Sequence, residues 1–215
     1  MWLDKKLKWN WSIRLLLEGL LEISFCTVFT ISYVNRTSFG GWFNLVFAYI
    51  LLILISALPI FTQVFYQLQF SRMADPEDEE FDKKYGAPYE GLKPNRRWSL
   101  FLSFMVAVRR ITFMVVVLKL SQSAFSQLWV IQIVNLISFV YVFEIRPYQE
   151  EFLNKMETFN EIANIICVDL MFSFTGVINQ QNEEITIAIR DKVGILFIGL
   201  LLATVAVHIT FLIGG

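Results

Sequence analysis

The residues with the greatest capacity for chemistry are ionisable side chains inside long apolar segments. Arg109 and Arg110 lie near the middle of one such segment, Glu18 and Glu22 lie in another, and Asp169 lies in a third. Placing one arginine at the centre of a bilayer costs about 2.5–3.5 kcal/mol, so these side chains need partners. The pattern indicates ion pairing between helices, contact with lipid phosphate or ion permeation, and these three alternatives stay open.

The spacing of the charges restricts how they can pair. Glu18 and Glu22 are separated by about one helical turn, so their carboxylates share one face of a helix. Arg109 and Arg110 point about 100° apart and cannot share one partner face. At least one arginine is therefore expected to pair with carboxylates of another segment. The expected intramembrane charge network contains these four residues and two further acids, Asp169 and Glu144.

Residue patterns typical of enzymes and metal sites are missing from this sequence. It contains no GxSxG, HExxH, P-loop or GxGxxG motif, and its Ser, His and Asp residues form no triad-like group. His208 is the only histidine, which favours a packing or hydrogen-bonding role. Cys26 and Cys167 lie in apolar runs without CxxC spacing, which favours free thiols in packed helices. We predict no catalytic activity, no metal and no cofactor.

The composition predicts that the chain lies in a lipid bilayer. Of its 215 residues, 56% are hydrophobic and 17% are charged, against about 25% charged in soluble domains. A soluble domain of this size could not cover so much apolar surface. The formal net charge of −1 gives no indication of a nucleic-acid partner. We therefore predict an all-α, polytopic helical membrane bundle in contact with lipid.

Six apolar segments are long enough to cross a bilayer, which takes about 20 residues. They are expected at residues 11–34, 42–68, 98–120, 125–143, 160–178 and 193–213. Pro59 predicts a kink in the second segment. The first segment is the most polar; if it lay along the interface, five spans would remain and the N-terminus would change side. We predict that residues 1–215 form one transmembrane domain with a cytoplasmic loop at 70–97.

The distribution of Lys and Arg predicts that both termini are cytoplasmic. The N-terminal flank, the 70–97 loop and the connection between segments four and five together contain 11 positive residues, whereas the opposite side contains 4. Positive residues accumulate in the cytoplasmic loops of membrane proteins. The sequon Asn35-Arg36-Thr37 falls in the first outer loop, in agreement with this orientation.

Three motifs, taken in order, resemble those of a known set of membrane proteins. They are the Tyr85–Leu92 string (Tyr-Gly-Ala-Pro-Tyr-Glu-Gly-Leu), the Arg109-Arg110 pair, and Arg146-Pro147-Tyr148 with the Asn and Glu residues behind it. This order resembles the multi-span module of a set of ciliate membrane proteins and is similar, more distantly, to the fungal TRP-like membrane protein family. The resemblance covers residue 81 to the C-terminus, with Pro88 standing where the family pattern has Leu. The motif residues are Tyr85, Gly86, Tyr89, Glu90, Gly91, Arg146, Pro147, Asn154, Glu157, Asn160 and Glu161.

Physical chemistry gives these motifs structural roles. The glycines suit turns between membrane and loop, and the tyrosines suit the membrane interface. Arg146, Pro147 and Tyr148 would end the fourth segment with a cation, a helix stop and an aromatic anchor. The Asn and Glu residues from Asn154 to Glu161 follow helical spacing, so they could form one polar stripe facing Arg109 or Arg110.

Two functions are compatible with this sequence. The first is ion permeation through a homo-oligomer, which the family resemblance implies and the charges within the spans favour. Against it stands the lack of a recognisable selectivity filter or inverted repeat. The second is a non-catalytic structural or anchoring subunit among other membrane subunits. We favour the first function slightly, in the plasma membrane or an endomembrane, with a complex of the mitochondrial inner membrane as the alternative.

Overall fold

A computed structural model gives the fold of residues 19, 22–73, 89, 91–93, 95–175 and 183–214. The described residues are helical apart from short turns and one isolated antiparallel bridge between Leu92 and Tyr148. The helices are α1 (22–33), α2 (Phe39–Leu68), α3 (Phe70–Met73), α4 (Leu102–Lys119), α5 (Ala124–Ile145), α6 (Glu151–Phe172) and α7 (Glu183–Gly214). A 3-10 turn, Ser99–Phe101, leads directly into α4. The predicted all-α class is confirmed.

The long helix α2 illustrates how local sequence sets the helix limits. Ser38 precedes it in an extended conformation, and the Ser38 hydroxyl accepts a hydrogen bond from the Gly41 amide at 3.1 Å, which is the usual N-cap arrangement. The helix contains Pro59, whose missing N–H removes one backbone hydrogen bond. The helix nevertheless runs through this position without a break, and the predicted bend stays a prediction.

Four stretches are long and apolar enough to cross a membrane: Phe39–Leu68, Ser99–Lys119, Ala124–Ile145 and Thr186–Phe211. Their large apolar side chains are widely exposed, Phe61 at 72% and Ile195 at 73% for example, as expected of surfaces that face lipid. These stretches confirm predicted segments two, three, four and six as apolar helices of spanning length. The first and fifth spans, and the cytoplasmic placement of both termini, stay predictions.

The chain forms two compact units. The first comprises the described residues of Met1–Lys119 together with Ile145–Leu153, and the second comprises those of Leu120–Glu144 and Asn154–Gly215. In the first unit α2 packs on α4, with Leu100 and Met114 fully buried. The second unit contains α5, α7 and most of α6. The single transmembrane domain expected for the chain stays a prediction.

Candidate functional site

The predicted site residues are distributed over both units. Four of them, Glu18, Tyr85, Gly86 and Glu90, lie outside the residues that the structure describes. The first unit contains Glu22, Tyr89, Gly91, Arg109, Arg110, Arg146 and Pro147. The second unit contains Glu144, Asn154, Glu157, Asn160, Glu161 and Asp169.

Two motifs that are far apart in the sequence meet in the first unit. The amide of Lys93 donates to the Pro147 carbonyl at 2.9 Å, and the amide of Gln149 donates to the Gly91 carbonyl at 2.9 Å. These two bonds flank the Leu92–Tyr148 bridge. The loop before α4 and the segment between α5 and α6 are therefore tied together, and we call this contact the motif bridge (Gly91–Lys93 with Arg146–Gln149).

Side chains reinforce the motif bridge. The Lys93 ammonium donates to the Arg146 carbonyl at 2.9 Å, and the Gln149 amide Nε2 donates to the Leu92 carbonyl at 2.9 Å. Pro147 and Leu92 are buried. Two residues have left-handed backbone conformations, Gly91 at φ 81° and Arg146 at φ 48°. The glycine suits this conformation because it lacks a Cβ, whereas the arginine adopts it at a cost in free energy.

Tyr89 links the motif bridge to the end of α2. Its ring meets the ring of Tyr66 edge to face, with centroids 5.9 Å apart, and both side chains are buried. Aromatic pairs in this arrangement stabilise a contact by about 0.5–1.5 kcal/mol beyond area burial. The motif tyrosines were predicted to lie at the membrane interface, and this packing was not predicted from the sequence.

In the second unit a hydrogen bond joins the acid of the predicted fifth segment to a polar residue of α5. Gln132 Nε2 donates to Asp169 Oδ1 at 2.9 Å. Gln132 is only 7% exposed, whereas the Asp169 side chain is exposed. The Oε1 atom of Gln132 is buried and accepts no hydrogen bond from the residues that the structure describes. Rings of Phe125 and Phe172, 5.6 Å apart, pack nearby on the same helix pair.

The opposite face of α6 is bonded to α7. Asn160 Oδ1 and His208 Nε2 are 2.8 Å apart. Asn160 and Asp169 are separated by nine residues, which places them about 180° apart around the helix and about 13 Å apart along it. Their partners therefore show that α6 lies between α5 and α7 within this unit. His208 has the hydrogen-bonding role that the sequence favoured.

Further polar side chains are buried along the helices of this unit. On α6, Asn154 is 4% exposed and Glu161 is 2% exposed, while Glu157 and Asn160 are half-buried. On α5, Gln132 is followed at intervals of three residues by two more buried polar side chains, Asn135 and Ser138. This α5 set was not predicted from the sequence. Its three-residue spacing inside an apolar helix was the signal that could have revealed one polar face.

The remaining charges of the expected network lie on other elements. Arg109 and Arg110 are both half-buried on α4. Glu22 is exposed on α1, where it lines a cleft shared with α2. Glu144 is exposed near the end of α5. Pairing of the arginines with carboxylates of other segments stays a prediction.

Apolar helices of spanning length, with polar side chains bonded to one another inside them, define a helical membrane protein. The model of one family, described as the transient receptor potential (TRP) ion channel, matches residues 2–214. The chain belongs to this family. No curated protein and no solved structure matches it. The predicted TRP-like resemblance is thus confirmed, and it extends over the first two segments, which the motifs did not cover; the resemblance to ciliate proteins stays a prediction.

Proposed function

We propose that this chain is a non-catalytic channel subunit that conducts cations along the α6 face carrying Asp169. The observation that carries the proposal is the exposed Asp169 carboxylate, bonded at 2.9 Å to the buried Gln132 of an apolar helix. Membership of the ion channel family supports the same function. The structural-subunit alternative has no comparable support.

The proposal requires α6 to be the fifth span, although its charged residues exclude it from the four stretches that are apolar enough to cross a membrane. Its 22 residues make a helix about 33 Å long, enough for a hydrocarbon core of about 30 Å. Its hydrogen-bond partners support this assignment. Gln132 lies in the apolar helix Ala124–Ile145, and His208 lies in the apolar stretch Thr186–Phe211, so Asp169 and Asn160 are each bonded to a helix long and apolar enough to cross a membrane.

The exposed acid on α6 suits an aqueous path because lipid is a poor environment for it. An acidic side chain facing hydrocarbon costs about 2.5–3.5 kcal/mol at the centre of a span. The Gln132 amide holds one carboxylate oxygen, which leaves the other for a cation. Carboxylates around a path are a common basis of cation selectivity, and several copies of the chain would supply them.

Charge distribution supports the membrane orientation. The excess of Lys and Arg on one side favours cytoplasmic termini. The sequon Asn35-Arg36-Thr37 in the predicted outer loop favours the plasma membrane or an endomembrane over the mitochondrial inner membrane. The predicted homo-oligomer follows from the function, since a single unit of three helices cannot enclose a water-filled path.

The first prediction concerns cation flux. Purified chain in liposomes is expected to conduct K⁺ or Na⁺, and Asp169→Asn should lower the cation flux at least about fivefold, because a charge about 4 Å away contributes at least about 1 kcal/mol. Flux is measured with an ion-sensitive dye against a defined gradient. Glu144→Gln is the matched control, since it removes an exposed acid near the end of α5 and should change flux less than twofold, by roughly 0.4 kcal/mol.

Two outcomes contradict the proposal. Equal flux in Asp169→Asn and in the unsubstituted chain removes Asp169 from the path. No flux from folded oligomer, together with stable copurification of other membrane subunits, favours the structural role instead.

A further inference from the structure

The first unit contains a cleft between α1 and α2 that none of the preceding roles uses. Its volume is about 540 Å³, and its lining includes Glu22, Cys26 and Thr30 on α1 and Asn44, Phe47 and Leu51 on α2. Small-molecule sites commonly have volumes of about 300–1,000 Å³. From this cleft and the one charge among its described lining residues, we propose that the protein binds an amphipathic amine there, with the ammonium group on the Glu22 carboxylate and the alkyl chain along α2.

The α1–α2 turn fixes the shape of the cleft. Asn35 Oδ1 accepts from the amide and the hydroxyl of Thr37 at 3.0 and 2.9 Å, and the Ser38 hydroxyl caps α2. The two helices run side by side from this turn. Glu22 lies eleven residues before the end of α1, about 16 Å along the helix from the turn. With α1 as the predicted first span, the carboxylate is at the end of the cleft away from the turn, near the middle of a bilayer.

The deep position of the carboxylate determines which ligand fits. Glu22 is exposed, and no cation of the described residues forms an ion pair with it. A carboxylate at this depth is costly unless a cation neutralises it. An ammonium group supplies that charge and several N–H donors. The ligand must also enter from lipid, which requires an alkyl chain.

The apolar wall accommodates that chain without providing the selectivity. Phe47, Ala48 and Leu51 form the α2 side of the cleft next to Glu22. Lipid tails are as apolar as these side chains, so the wall gives an alkyl chain little preference for the cleft over the bilayer. Discrimination must then come from the carboxylate. A neutral molecule with the same chain is expected to bind poorly.

Cys26 provides a direct readout because it is exposed and lines the cleft. In a Cys167→Ser background it is the only thiol, and its alkylation by N-ethylmaleimide in nanodiscs can be timed by mass spectrometry. Dodecylammonium at ten times its Kd should slow this alkylation about tenfold, in proportion to the fraction of sites left empty. Dodecanol at the same membrane concentration should leave the rate unchanged. Glu22→Gln should abolish the protection by dodecylammonium.

Two controls separate occupancy of the cleft from other effects. Phe25 lies at the depth of Cys26 but about 100° around the helix, and it is not part of the lining. A cysteine introduced by Phe25→Cys, with Cys26→Ser and Cys167→Ser, should keep its alkylation rate in dodecylammonium. Glu22→Gln must show the unprotected Cys26 rate of its parent, which shows that the substitution leaves the accessibility of Cys26 unchanged.

Three results would overturn the proposal. Equal protection by dodecanol means that any apolar chain enters the cleft. Slowing at both cysteine positions means that the amine acts through the bilayer. No protection of Cys26 at saturating dodecylammonium means that the cleft does not bind amines.

Discussion

Replacing Gly41 with alanine is expected to destabilise the protein by about 3 kcal/mol, the upper end of the usual cost of overpacking. A Cβ at this position would overlap the carbonyl oxygen of Asn35 and lie 3.3 Å from the Ser38 hydroxyl oxygen. The overlapping atom belongs to the backbone and cannot rotate away as a flexible side chain could. The α1–α2 turn must therefore open, which also disturbs the cap on α2.

The adjacent glycine is a matched control for this substitution. Both glycines lie in the first turn of α2, but a Cβ on Gly40 meets no atom within 4 Å. Gly40→Ala should leave the stability unchanged or raise it by up to about 1 kcal/mol, through helix propensity. The free energy of unfolding is measured by titration with sodium dodecyl sulfate in mixed micelles. Equal unfolding midpoints for the two variants would contradict the close approach of Asn35 to Gly41.

Hydropathy predicted the apolar helices well but not the polar ends of helices. The fourth segment was expected at 125–143, and α5 is Ala124–Ile145. The sixth was expected to begin at residue 193, whereas α7 begins at Glu183, because backbone hydrogen bonding continues through polar residues that a hydropathy window rejects. The same reason explains why α6 begins at Glu151 and not near residue 160.

The end of α6 depends on local hydrogen bonds that composition does not reveal. The helix ends at Phe172, and the hydroxyls of Ser173 and Thr175 donate to the carbonyls of Leu170 and Phe172, both at 2.7 Å. These side chains satisfy carbonyl groups that a helix terminus leaves open. The expected apolar segment continued to residue 178, since threonine and serine interrupt a hydropathy pattern only weakly; residues 176–178 lie outside the described residues.

The sequence predicted which kinds of residue form the candidate site, but it did not predict their hydrogen-bond partners. The cost of a charge in lipid singled out Asp169 from the sequence alone, but the partner that the structure gives it, the uncharged amide of Gln132, was not predicted. Because an amide carries no charge, the pairing of charged residues in the sequence could not identify Gln132 as the partner of Asp169. The motif bridge could not be predicted either. Pairing between Leu92 and Tyr148 joins two loops whose sequences lack the alternating apolar and polar residues of a strand.

Substitutions at the two left-handed residues of the motif bridge are expected to change its stability in opposite directions. Gly91→Ala should weaken the bridge by about 1–2 kcal/mol, because alanine at φ 81° is strained even though its Cβ would meet no atom within 4 Å. Arg146→Gly should strengthen the bridge by up to about 1 kcal/mol, since it relieves the strain at φ 48°. The Arg146 carbonyl that accepts from Lys93 is retained in this variant.

Hydrogen exchange at two backbone amides measures this effect locally. The amides of Lys93 and Gln149 donate across the motif bridge, so their exchange reports its opening free energy. Exchange at both should become roughly tenfold faster in Gly91→Ala and slower in Arg146→Gly. Amides inside α5 should keep their rates in both variants, because the substitutions act on a loop contact. Faster exchange of the bridge amides in Arg146→Gly would show that the left-handed arginine is not strained, and the opposing signs would be lost.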